Sequence, residues 1–438
     1  MTVYLFHPRE VPTMPTYKPH ARSHGRLDGQ TRLLLAVNGL FVTAGALSGT
    51  FLGVYIWKAS KNFELLGWFT LLHHLSMALT FWIAGYAVKR GRKSLVLRLG
   101  IGISALFYAL VLALGTQSIP YIWILGIVQG VASGMFWLAF NVIYFEVTDA
   151  DNRDRYNGLA GVIGALAGMA APWFSGFLIS RMAAEKGYRI IFMASLGIFV
   201  AGVLMTFLLR NRRTLGEYDW SFPARIWRVP ETPWRSVLGA LTVQGVRESV
   251  FGLMIGLLVY IQTGSELRLG NYTLITSAVS FLGFYAVGRW LKPARRVGGM
   301  LAGAIVMTAV ILPFFFGVSY ATMLVFGIGT SLTFPLYAIP MTSTVFDLIG
   351  RNEDSARKRV EYVVVRELAL NAGRMLGMAV FIGTVRWSKA PLVLNVLMLV
   401  TGSAPLFSWM LMKRILRVPA KKAYARSRRR LQKMPDRV

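Results

Sequence analysis

The chain contains no cysteine, five histidines and only 19 acidic residues in 438. Without cysteine there are no disulfides, no thiolate nucleophile and no thiolate zinc site, and five histidines leave little room for a histidine-rich metal centre. No metal and no cofactor are therefore expected. Charge of either sign is scarce, at 15% of residues against about 25% in an ordinary soluble domain. A chain so poor in polar groups cannot cover its own surface in water, which excludes a soluble enzyme of two or three domains. The first 32 residues hold Pro and Arg but no apolar stretch like that of a signal peptide, so insertion is expected to begin with the first membrane helix.

Apolar residues are what the chain has in quantity: 55% of the sequence is hydrophobic and the mean hydropathy is +0.52. A helix needs about 20 apolar residues to cross a bilayer, so twelve would use roughly 240. Twelve such runs can be read, near 33–57, 64–88, 95–115, 120–146, 157–181, 189–209, 237–262, 271–291, 297–317, 320–349, 361–385 and 391–412. They group into a cytoplasmic N-terminal segment (1–32), a first six-helix bundle (33–209), a basic linker (210–236), a second six-helix bundle (237–412) and a basic tail (413–438). The fold class expected is an all-α polytopic membrane protein.

The formal net charge is +29, from 48 Lys and Arg. In a soluble protein this excess would point to nucleic acid; in a membrane protein it is the positive-inside bias of cytoplasmic loops. Placing both termini inside puts about 38 basic residues on the inner side and about 8 on the outer, as that rule requires. The expected location is the plasma membrane, multi-pass, with both termini cytoplasmic. The tail, with 11 basic residues opposed only by Asp436, is expected to contact anionic lipid. Nothing in it supplies the geometry to read nucleic acid, and the protein is expected to be a monomer.

The halves repeat each other. GIVQGVASGMFWLAFNVIYFE (126–146) aligns without gaps on GIGTSLTFPLYAIPMTSTVFD (327–347), acid over acid at Glu146 and Asp347. A weak repeat of six helices implies two bundles related by an axis along the membrane normal. The loop after span 2 reads GYAVKRGRK (85–93), the matching loop of the second half is AVGRWLKPARR (286–296), Glu146 precedes Arg153 by seven positions, and span 5 carries AGMAAPWFSG (167–176). Across nearly its whole length the chain resembles the major facilitator superfamily of secondary transporters. The resemblance implies the two-bundle fold, alternating access, and a cavity lined by spans 1, 4, 7 and 10. The chain departs from the family pattern in two places. The loop signature lacks its acid, with Val88 and Lys89 where it would fall, and Gly126 stands where span 4 of the family carries an Arg tied to proton transfer.

Charged residues deep in a membrane are costly and usually have a partner and a purpose. Span 7 carries Gln244, Arg247 and Glu248, and span 11 carries Glu367, Asn371 and Arg374 at spacings of four and three, hence on one face. These six are candidates for binding substrate or a coupling ion, with Gln129 and Asn141 on span 4 as polar neutrals. Glu248 and Arg374 are expected to pair at similar depth. His73 and His74 could act as a proton relay, although adjacent positions on a helix do not share a face. Lys89, Arg90, Arg92, Glu146 and Arg153 in the first half, with Arg289, Arg295 and Asp347 in the second, are expected to form a cytoplasmic gate in which each acid faces the basic loop of its own half. Gly168, Pro172 and Gly176 form a smooth stripe on span 5 that allows close helix approach.

The function these residues favour is a secondary transporter of a small or amphiphilic solute, with export favoured by the span-5 element and protons as a possible coupling ion. A membrane enzyme is not expected, since no metal-ligand cluster, phosphate loop or nucleophilic triad has a recognisable spacing. The alternative is a transporter-like sensor or scaffold that binds its ligand without moving it.

Overall fold

The computed structural model describes residues 27–148, 152–182, 184–210, 217–228, 233–349 and 357–417. The helices are α1 (Gly29–Ser60), α2 (Phe63–Lys89), α3 (Lys93–Leu114), α4 (Ile122–Val147), α5 (Arg153–Arg181), α6 (Ala184–Thr206), the short α7 (Phe222–Arg228), α8 (Pro233–Thr263), α9 (Glu266–Trp290), α10 (Arg296–Ala309), α11 (Tyr320–Ile349), α12 (Arg359–Trp387), α13 (Pro391–Gly402) and α14 (Ala404–Leu416). No strand occurs among the described residues. In hydrocarbon every backbone N–H and C=O must be satisfied within the protein, and a helix does so internally. Helix starts are set by side-chain caps where the chain re-enters: Asp28 accepts from the N–H of Thr31, Asn62 from that of Glu64 and Ser265 from that of Arg268.

Eleven of the described helical stretches are long and apolar enough to cross a membrane. The eighth of the twelve expected spans, α9, is long enough but falls short in apolarity, since it carries Glu266, Arg268, Asn271 and a run of Thr and Ser. It packs between α5 and α11, so protein rather than lipid faces much of its surface. The ninth span is α10 followed by a tight turn at Leu312–Phe315. The twelfth is broken at Ser403 into α13 and α14, where Pro405 near the start of α14 cannot continue a helical ladder.

Helices α1–α6 pack among themselves, as do α8–α14, and the two groups meet mainly along two seams, α2 on α12 and α5 on α9. The segment between the groups lies on one end of the molecule, termed here the linker face, with Lys89, Lys93 and the start of α8; Lys58, Glu64 and Arg386 lie at the opposite, far face. From the linker segment, Tyr218 donates to the carbonyl of Trp82 at 3.0 Å, Trp220 stacks on Tyr86, and Phe222 meets Tyr362 edge-on. It thus straps α2 to α12. Burial shifts the Asp219 carboxyl upward, but hydrogen bonds from Ser221 and Arg225 outweigh it and hold the group below the ordinary carboxylate range.

Candidate functional site

The α5–α9 seam depends on small residues. In α5, Pro172 has no N–H to give, which frees the carbonyl of Gly168 one turn earlier. Ser277 of α9 donates to that carbonyl at 3.1 Å, a bond between the two bundles. A methyl group on Gly176 would come within 2.5 Å of the Glu266 carbonyl oxygen, and one on Gly270 within 3.0 Å of the Pro172 carbonyl. Gly168, Pro172 and Gly176 therefore all meet α9.

Inside the second group α8 and α12 cross almost backbone to backbone. A methyl on Gly373 would lie 1.8 Å from the Thr242 oxygen, and one on Gly245 2.2 Å from that of Leu370. This crossing brings Glu248 and Arg374 together. Arg374 donates to Glu248 Oε2 from Nε at 3.1 Å and from Nη2 at 2.8 Å, while Gln244 donates to Oε1 at 2.6 Å. Arg374 Nη1 also donates to Asn371 Oδ1 at 3.3 Å, and fully buried Asn371 donates onward to the Glu367 carbonyl. The pair is not sealed: the side chains of Arg374 and Glu248 keep 19% and 30% exposure. Glu248 lies 15 residues from either end of α8, and Arg374 is within a residue of the midpoint of α12, so both sit at mid-membrane depth. The Glu367 carboxylate takes no part; it pairs with Arg366 at 3.1 Å.

The first bundle brings its histidines to this place. His73 and His74 lie near the middle of α2 with rings 5.0 Å apart, edge to face. The Arg374 charge acts on both, and His74 lies beside Asn371. The Nδ1 atoms of both rings are buried and have no hydrogen-bond partner among the described residues. The span-4 candidates are not drawn in. Gln129 is half-buried, and Asn141 donates to the Trp137 carbonyl of its own helix at 2.8 Å. Packing also explains the departure at Gly126, where a methyl would meet the Phe69 carbonyl at 2.6 Å. No longer side chain fits against α2 there.

Arg247 points elsewhere. It is 8% exposed, its guanidinium stands over the Phe251 ring at 4.6 Å, and its charge acts on Tyr337 of α11 and on Glu248, without a hydrogen bond to either. Its Nε and Nη2, the Tyr337 hydroxyl and Gln244 Oε1 are all buried without a hydrogen-bond partner among the described residues. Arg247, Arg374 and Glu248 together leave one net positive charge.

The ends of the seams are closed by ion pairs across the bundles. At the far face Lys58 meets Glu266 at 2.9 Å and Arg386 pairs with Glu64; Tyr188 also donates to Glu266. At the linker face Lys89 reaches Glu361 at 3.0 Å, with the carboxylate 1% exposed. This differs from the expectation that Lys89 serves Glu146. Instead Lys93, the first residue of α3, pairs with Glu146 inside the first bundle, because the α2–α3 turn carries Lys89 toward α12. Arg90 stands over the Tyr86 ring, and Arg92, Arg289 and Arg295 are exposed. The side chains of Arg153 and Asp347 lie outside the described residues, as does the tail beyond residue 417. Across the same face Phe145 of α4 meets Phe346 of α11 at 5.6 Å.

Lys58, Glu64, Glu266, Glu361 and Arg386 carry no distinguishing signal in the sequence, since charges at helix ends are ordinary. The α8–α12 crossing does have one, the small-xxx-small spacing of Gly373 and Gly377.

Two helical bundles that meet along two seams, with a mid-membrane charge pair inside the second bundle, define the architecture of a polytopic membrane transporter. The family model of the Major Facilitator Superfamily matches residues 34–377, and the chain belongs to that superfamily. It is 37% identical over 351 residues to a protein of Bacillus subtilis (strain 168) called "Uncharacterized protein YqgE", covering 80% of this chain and 81% of that one. It is 40% identical over 162 residues to "Uncharacterized protein in sodM 3'region" of Geobacillus stearothermophilus, covering 37% of this chain and 76% of that one.

Proposed function

We propose that the protein is a secondary active transporter that moves a small or amphiphilic solute bearing an anionic group, by alternating access. The observation that carries this reading is the mid-membrane centre, where Arg374 is held by Glu248 while Arg247 keeps two buried nitrogens without a partner. A buried cation with unfilled hydrogen bonds is costly, and a carboxylate or other oxyanion would complete its bonds. Its second end would meet Tyr337 and the half-buried Glu248–Arg374 pair. A proton on Glu248 would weaken its hold on Arg374, which links the solute site to a proton gradient. His73 and His74 lie where they could pass that proton along, from the opposite bundle.

Access alternates by breaking one set of end pairs at a time. Opening the linker face separates Lys89 from Glu361; opening the far face separates Lys58 from Glu266 and Arg386 from Glu64. The linker face is read as cytoplasmic in the plasma membrane, from the distribution of basic residues. The small-residue element of α5 supports export. No enzymatic activity is assigned.

The test is flux. Anionic, zwitterionic and cationic solutes are screened by thermal shift on detergent-purified protein, since a ligand that binds only the folded state raises its stability. The best ligand is then followed into proteoliposomes under a pH gradient. An anionic or zwitterionic ligand that accumulates supports the reading. A ligand that binds without crossing identifies a sensor, and a preference for simple cations overturns the assignment of the centre.

A further inference from the structure

The linker segment makes a second feature that transport does not use. Pro223, Ala224 and Trp227 of α7 stand off from Thr242 of α8 and from Val365, Leu368, Ala369 and Ala372 of α12, leaving an apolar groove of about 320 Å³. The α12 residues recur every three or four positions and so form one stripe. That stripe continues beyond Ala372 through Leu376 and Val380, which are 54% and 43% exposed. The groove thus opens onto the lipid-facing side of the helix and runs from the linker face toward the bilayer centre. Val365 to Ala372 alone spans about 10 Å of helix.

The mouth of the groove is basic. Arg235 lies two turns before Thr242 on the same face of α8, and Arg228 follows Trp227 directly; both are exposed, and neither has an acidic partner among the described residues. Arg225 and Lys358 stand nearby and share Asp219. Trp227 is 45% exposed, and exposed tryptophan rings are enriched where lipid headgroups meet acyl chains.

We infer that this groove is a binding site for one anionic phospholipid of the leaflet on the linker side, with an acyl chain lying along α12 and the phosphate held between Arg228 and Arg235. The site is independent of what the protein carries. Because α7 belongs to the strap that joins Tyr86 and Trp82 of α2 to Tyr362 of α12, the lipid would also hold the strap in place.

Bromine on an acyl chain quenches tryptophan fluorescence on contact. The full chain is reconstituted in phosphatidylcholine vesicles that contain a small fraction of either brominated phosphatidylglycerol or brominated phosphatidylcholine with the same chains. Trp227→Phe gives the component that belongs to Trp227. The expected result is half-quenching of that component at a mole fraction about thirtyfold lower for phosphatidylglycerol, from two cations near the surface. Arg228→Gln with Arg235→Gln should abolish the preference, and Ala372→Phe, at an exposed position, should reduce quenching by both lipids. Equal quenching by the two lipids in the native protein would reduce the groove to ordinary lipid contact and overturn the proposal. Absence of quenching by either lipid would show that the chain itself or a second copy covers the groove, and would overturn it as well.

Discussion

Two nitrogens of the Arg374 guanidinium, Nε at 3.1 Å and Nη2 at 2.8 Å, converge on a single oxygen of Glu248, while the other oxygen of that carboxylate is taken by Gln244. The carboxylate is thus divided between a partner on its own helix and one on α12. Removing one member of a fully buried pair costs about 3–5 kcal/mol, because the other charge is left without compensation. With Glu248 at 30% exposure, the lower end of that range or less is expected. Glu248→Gln and Arg374→Gln should each lower Tm in detergent, and the double variant should be more stable than either single one. Additive losses in a double-mutant cycle would show that the pair is not energetically coupled.

The linker-face closure can be tested at Lys89. Its partner Glu361 is almost wholly buried, so Lys89→Met leaves a stranded carboxylate and should favour states in which that end is hydrated. A cysteine introduced on the lining of α11 near Phe346, in a chain with no other cysteine, should label several-fold faster from the linker side. Glu146→Gln should have a smaller effect, since Lys93 is within the same bundle. Unchanged labelling in Lys89→Met would remove the pair from the gate.

Close approach of α5 to α9 depends on Gly176. Gly176→Val would place atoms inside contact distance of the Glu266 backbone and should push the seam apart next to the Lys58–Glu266 pair. Overpacking of this kind costs about 1–3 kcal/mol. Folding is expected to survive, with transport lost and far-face accessibility raised. Native transport by Gly176→Val would show that the seam tolerates separation during the cycle.

Much of the centre was legible in the sequence because a charge inside an apolar run stands out. Glu248 and Arg374 could be matched by depth alone, and Pro172 with its small neighbours announced a close contact. Periodicity could not reveal which helix each would meet. His73 and His74 are successive residues, 100° apart on a helix, and only the α2–α12 seam shows that the Arg374 charge reaches both. The Lys89–Glu361 pair was hidden for a different reason: its members are ordinary end-of-helix charges separated by 272 positions. Span 8 falls short of the apolarity of the other spans in its most apolar stretch, and it packs between α5 and α11. The separation of Glu367 from the central cluster also escaped the spacing argument, since the adjacent Arg366 captures its carboxylate.

Attachment of the linker strap should be insensitive to pH in the working range. Asp219 is held below the ordinary carboxylate range in the folded state, so its contribution is fully present above the unfolded carboxylate pKa of about 4 and is lost only as pH falls below that. Proteolysis of the linker should therefore proceed at the same rate from roughly pH 5 to pH 8. Asp219→Asn should raise that rate throughout this pH range, and an unaltered rate would mean that the aromatic contacts alone hold the strap.

The most direct measurement for the mid-membrane centre is uptake into proteoliposomes of the anionic solute that most stabilises the native protein, compared across roughly pH 5.5 to 8 for the native chain, Glu248→Gln and Arg374→Gln. The expected result is pH-dependent accumulation by the native protein, loss of that pH dependence with reduced uptake in Glu248→Gln, and little or no uptake in Arg374→Gln. Full uptake with unaltered pH dependence in both variants would contradict it.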